Sequence, residues 1–195
     1  MPKIKRSFYQ QSAKIIAKKL LGKYLVFNSA KGKVSGKIID VEAYPAFYDD
    51  VSHGNKKTKR TKILYNKGGY AYIYVIYGIH HQFGVVVNKK DIPEVVFIRA
   101  LIPEEGTGIM KRNFGKPITQ ITDLTKSPGN LCKSFGIDTK LYGVDLTQNI
   151  IFVEDRGDFV NPGFVKAITR IGINPKLKGS KNKLRFLLMD NLVKL

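Results

Sequence analysis

The chain has 195 residues, 43% of them hydrophobic, which is enough for a packed core and excludes a disordered basic tail. Lysine and arginine number 34 against 15 acids, a formal charge of +19, so an anionic partner is expected. No apolar run approaches membrane-spanning length, and with Cys132 as the only cysteine neither an intrachain disulfide nor a cysteine metal cluster can form. Taken in chain order, Ala13, Ile16, Ala17, Leu20 and Leu21 recur at helical spacing within residues 8–21. Lys14, Lys18 and Lys19 occupy another face, and Gly22 supplies a stop. Two strands follow, 24–27 and 34–44, joined by a turn-rich link at 28–33 that predicts a hairpin. Strands are expected at 70–77 and 83–87, joined around Gly78, and at 95–101, ended by Pro103. Residues 104–150 read as helix and loop, and late strands are expected at 150–153 and 184–188. Short strands with close turns favour antiparallel pairing. The expectation is one α+β domain over residues 1–195: a curved, mainly antiparallel sheet with flanking helices.

The charge is distributed unevenly. Ten basic residues precede the first acid, Asp40, and no acid occurs between Asp50 and Asp91 or between Asp158 and Asp190. The N-terminus is basic but has no secretory apolar core with a small-residue cleavage site, so an intracellular, reducing setting is expected.

The segment 69–78 holds Tyr70, Tyr72, Tyr74 and Tyr77, and it follows a run (53–68) with six Lys or Arg and no acid. Buried tyrosines need hydroxyl partners, so this pattern suits a surface that holds a polyanion and stacks on its bases. A half-buried hairpin with wet tyrosine tips would use the same residues.

Glu42 lies in the strand 34–44, where alternation puts Ile38, Asp40, Glu42 and Tyr44 on one face and Ile39, Val41 and Ala43 on the other. Arg99 sits within an apolar strand and needs an acid to be buried there, and Glu42 is the economical partner. Such a pair can be purely structural. The three histidines, His53, His80 and His81, form no metal-binding spacing. No serine-nucleophile, P-loop or dinucleotide motif is present.

Six motifs in order then carry a resemblance. They are Val41-Glu42-Ala43-Tyr44, with Ser52-His53 ending nine residues beyond Tyr44; Tyr72 to Gly78; and Ile98-Arg99-Ala100-Leu101. After these come Ser127-Pro128-Gly129-Asn130-Leu131-Cys132, Arg170-Ile171-Gly172-Ile173 and Leu184-Arg185-Phe186. The chain resembles the alkyladenine (3-methyladenine) DNA glycosylases of the mammalian and bacterial base-excision type, from about residue 20 to residue 186. The resemblance implies hydrolysis of the N-glycosidic bond of damaged purines in double-stranded DNA after base flipping, by a monomer using no metal or cofactor. It implies Glu42 as general base, holding a water with Arg99. Tyr44, His53 and Tyr74 would line the base pocket. Tyr77 would wedge into the minor groove from a protruding hairpin, beside Gly78 and Ile79, with Lys59 and Arg60 of the basic loop also on the DNA. The family commonly carries Asn where this chain has Gly84. Gly84 is therefore expected to leave room in the pocket for guanine-derived bases. A non-catalytic minor-groove or RNA-binding protein, or a glycosylase scaffold with altered or lost activity, would share the charge and the tyrosines. The non-catalytic binder would not need Glu42, which repels phosphate.

Overall fold

The computed structural model describes residues 2–76 and 78–189. The expected N-terminal helix forms in two pieces, α1 (Arg6–Tyr9) and α2 (Ala13–Leu20). The break is set by tertiary contacts. The Glu94 carboxylate accepts from the Ala13 N–H at 2.6 Å, so α2 starts on a buried acid, and the Ser12 side chain makes no capping bond. α2 buries Ala13, Ile16, Ala17 and Leu20, as its spacing predicts, and Gly22 takes the left-handed φ of +79° that ends it.

The strands are β1 (Tyr24–Ser29), β2 (Gly32–Tyr44), β3 (Ala71–Ile76), β4 (His80–Val87) and β5 (Glu94–Pro103). Helices α3 (Thr107–Phe114) and α4 (Pro128–Phe135) follow, then β6 (Ile151–Glu154), β7 (Val165–Ile168) and β8 (Arg185–Leu188). All the pairings are antiparallel. The main path runs β3-β4-β5-β2-β1-β6, while β8 pairs with β2 alongside Asp40–Glu42 and β7 pairs with β8. The architecture is thus the expected α+β sheet with flanking helices; β7, which sequence periodicity does not single out, is an addition.

The sheet has two unlike faces. One carries Ala71, Ile73, Phe83, Val85, Val96, Ile98, Val41 and Ala43 into the main core, with Met110, Leu131 and Phe135 from α3 and α4 in the same cluster. The other carries Tyr44, Tyr72, Val86, Val95 and Phe97 in a second, smaller cluster. Register explains that second face. Tyr72 pairs with Gly84, Gly84 with Phe97 and Phe97 with Glu42; one step along, Tyr74 pairs with Gln82.

One expectation of strict alternation fails. The β2–β5 register shifts between Ile38 and Asp40 and again between Asp40 and Val41, leaving Ile39 and Arg99 outside the regular ladder. Ile38 and Ile39 therefore both enter the main core, and Ile38 does not share the face of Glu42. The same irregularity lets Arg99 reach two acids of β2.

Candidate active site

A cavity of about 510 Å³ opens on the tyrosine face of the sheet. Its walls are Tyr44, Val51, His53, Tyr74, Ile76, Gln82, Phe97, Arg99 and residues 171–173. That size suits a nucleobase-scale ligand. Three residues expected to form a base pocket, Tyr44, His53 and Tyr74, do meet here, and Arg99 joins them.

Glu42 is not on the wall. It lies beneath it, 1% exposed, bonded to three groups that belong to the wall. The Tyr44 hydroxyl donates to Oε2 at 2.9 Å, and Arg99 Nη1 stands 3.1 Å from the same oxygen. The Ile171 N–H donates to Oε1 at 2.9 Å. A carboxylate offers about four acceptor positions, so one, on Oε1, remains for another donor. Arg99 also stands 3.9 Å from Asp40, which Arg185 clamps with bonds of 2.7–3.1 Å. The expected Glu42–Arg99 pairing is therefore present, within a larger network.

Tyr44 is held on several sides. Its ring meets Phe97 edge-on at 5.3 Å, and the Arg170 guanidinium lies 4.6 Å over it. Arg170 is buried, bonded to both Asp49 oxygens and to the carbonyls of Ala43 and Gly179. Burial and the Glu42 carboxylate push the Tyr44 phenol upward, so it stays a neutral donor.

His53 packs edge-on against Tyr74 at 4.5 Å and faces the Tyr72 hydroxyl through Nδ1 at 3.3 Å. Burial, with the Arg60 guanidinium nearby, lowers its pKa to about 4, so at neutral pH it presents an uncharged ring. Arg60 lies 4.9 Å over the Tyr74 ring. Lys59 and Arg60 line a second groove, with Ile73, Val75, Thr139 and Tyr142, rather than the cavity itself. Gly78 takes φ +73°, with nothing within 4 Å of where its Cβ would be, and Ile79 is 72% exposed, so these two residues of the β3–β4 connection stand free in solvent. Tyr77 lies outside the described residues.

Gly84 requires a correction. It does not leave open space: a Cβ there would stand 2.7 Å from Val95 Cγ2 and 3.1–3.2 Å from the Phe97 ring. Tyr72 and Phe97, its neighbours across the ladder on either side, bring their rings to 5.8 Å of one another over this position. The space a side chain would take is thus filled by Val95 and by Phe97, which forms the wall.

Sequence reasoning missed Phe97, Gln82, Val51 and the roles of Arg170 and Ile171. Phe97 and Gln82 were within reach, because each sits two residues from a predicted site residue on the same strand face. Ile171 acts through its backbone in an irregular segment and leaves no side-chain signal. Among the described residues, no group of three His, Cys, Asp or Glu side chains is placed to hold a metal ion. None of their helices is long and apolar enough to cross a membrane.

Comparison with known proteins agrees with this geometry. The family described as methylpurine-DNA glycosylase matches residues 7–192. A Clostridium novyi protein provisionally named 3-methyladenine DNA glycosylase is 38% identical over 200 residues, covering 98% of this chain and 97% of its own. Proteins with the same provisional name from Natranaerobius thermophilus and Clostridium tetani are 38% and 39% identical. They cover 97% of this chain and 96% and 97% of their own.

Proposed function

Because the chain belongs to the methylpurine-DNA glycosylase family, whose members hydrolyse N-glycosyl bonds in DNA, we propose that it releases alkylated or otherwise damaged purines of the 3-methyladenine type after rotating them out of the duplex. It works as a monofunctional hydrolase and as a monomer. The observation that carries this reading is the Glu42 carboxylate, held by Tyr44, Arg99 and Ile171 directly beneath an aromatic cavity.

Chemistry at C1′ of a stacked nucleotide needs access, and flipping supplies it. Alkylation at N3 or N7 makes the purine cationic. The rings of Tyr44 and Tyr74 attract such a base, by about 0.5–2 kcal/mol for a well-placed face. The cationic base is already a good leaving group. What remains is to position a water and to stabilise positive charge developing on the sugar, and Glu42 serves both. The remaining acceptor position on Oε1 takes a water proton, while the donors on Oε2 keep the carboxylate oriented. Arg99, paired to Oε2, fixes the acid and closes the site around the water. At the free turn, Gly78 and Ile79 approach the minor groove and Tyr77 fills the gap left in the stack, while Lys59 and Arg60 hold backbone phosphates.

The test is single-turnover base release from methylated duplex DNA. The native chain should leave abasic sites without cutting the strand. Glu42→Gln should keep DNA binding and lose about 10²–10⁴-fold in release, the usual contribution of a general base. The swap also puts an amide N–H among three donors, so binding is measured alongside, to separate lost chemistry from a disturbed wall. Near-normal release by this variant would overturn the assignment of Glu42.

A further inference from the structure

Resting on the glycosylase reading above, we infer that Gln82 is the residue that biases the cavity toward adenine-derived over guanine-derived bases. Gln82 pairs with Tyr74 across the β3–β4 ladder, and both side chains line the cavity. It also borders the adjoining groove formed with His80, Arg99 and the start of α4. Its amide makes no hydrogen bond among the described residues. Three other polar groups of the wall are committed, the Tyr44 hydroxyl and Arg99 Nη1 to Glu42 and His53 Nδ1 to Tyr72, while the Tyr74 hydroxyl and His53 Nε2 make no hydrogen bond among the described residues. Among the described lining residues, Gln82 alone has a side-chain carbonyl. The apolar part of the wall is Val51, Ile76, Phe97, Ile171 and Ile173.

Counting donors and acceptors decides the preference. An adenine-derived base presents one exocyclic amine beside ring-nitrogen acceptors. A single glutamine amide satisfies such a donor–acceptor pair. A guanine-derived base presents O6, N1–H and a 2-amine along one edge. One amide can pair with two of these groups and gives the third no partner of its own. The position of Gly84 gives no relief, because Phe97 and Val95 fill the space a side chain would take.

The experiment uses duplex DNA treated with a methylating agent, which carries both 3-methyladenine and 7-methylguanine. Single-turnover release of each base is measured for the native chain, Gln82→Leu and Gln82→Glu. The native chain should favour 3-methyladenine. Gln82→Leu should lower the ratio of 3-methyladenine to 7-methylguanine release by about tenfold to a hundredfold, the discrimination typical of a bidentate amide contact. Gln82→Glu keeps the acceptor for the exocyclic amine and loses the donor, so its ratio should fall less. Both lesions are cationic, so the added charge largely cancels in the ratio. Thermal melting confirms that the variants are folded, and Gln82→Met replaces Gln82→Leu if that variant is not. A ratio within twofold of the native value in a folded variant, or a native preference for 7-methylguanine, overturns the inference. A native chain that releases neither base overturns the glycosylase reading, and the inference with it, before any variant is compared.

Discussion

Substituting Gly84 tests whether this position is space for a substrate or packing for the wall. In Gly84→Ala, the new Cβ meets Val95 Cγ2 at 2.7 Å and Cε1 and Cδ1 of Phe97 at 3.1 and 3.2 Å. The first separation is closer than real Cβ contacts come, and Val95 is fully buried, so side chains must shift. Overpacking of this kind costs about 1–3 kcal/mol. Removing a glycine from a strand returns about 0.5–1 kcal/mol of backbone entropy. The net expectation is a loss of about 1–2 kcal/mol, which lowers Tm by about 2–8 °C for a chain of this size. Phe97 also packs on Tyr44, Tyr72 and His53, so its displacement is passed to the cavity. Gly84→Asn, with more atoms to place, should therefore slow release of 3-methyladenine and 7-methylguanine together. Melting curves and single-turnover release read both effects. A Tm for Gly84→Ala equal to or above the native value, or an Asn variant that loses only 7-methylguanine release, would refute the packing argument.

Two further outcomes are expected. Binding to duplex DNA should be strongly salt-dependent. If roughly 5–8 phosphates are neutralised, log K falls against log salt with a slope steeper than about −4, and a flat response in a salt titration counts against the DNA-bound role. Stability should also fall on acidification between about pH 6.5 and 4. His53 is lowered from 6.5 to about 4, so the unfolded chain takes up a proton in that window that the folded chain refuses. The contribution is at most about 3 kcal/mol, and His53→Gln should flatten that part of a stability–pH profile. An unchanged slope in the variant would show that His53 is not its source.

The elements legible in the sequence were those with a clear period or a compact apolar run: α2, the β1–β2 and β3–β4 hairpins, β5, β6 and β8. The interruption between α1 and α2 was not legible, because its cause is Glu94, more than eighty residues away. The irregularity around Ile39 and Arg99 was hidden for a similar reason. A two-residue period says nothing about where a ladder slips, yet the slip is what aims Arg99 at Asp40 and Glu42. Tyr44, His53, Tyr74 and Arg99 converge as the resemblance implied. Gly84 misled because the absence of a side chain was equated with empty space. In a packed sheet the neighbours take that volume, and here Val95 and the Phe97 ring do so.

The same buried network bears on how so basic a chain could attract the cationic base of the proposed reaction. The +19 charge favours phosphate everywhere and would oppose a cation in the pocket. Around the cavity, however, arginines meet acids one for one. Arg185 is clamped on Asp40, Arg99 on Glu42, and Arg170 on Asp49. Arg60 is the exception, and it sits against the Tyr74 ring, where it helps keep His53 uncharged. Charge for the DNA backbone is thus carried largely by exposed lysines, and the arginines behind the pocket are compensated. On the proposed reading, both kinds of attraction operate at once: long-range capture of the polyanion, and short-range acceptance of a positive base by aromatic faces over a locally balanced floor. In the proposed mechanism Glu42 belongs to that balance as well as to the chemistry. On that reading its burial in a chain with few acids meets two requirements, a neutral floor for the pocket and a base for the water.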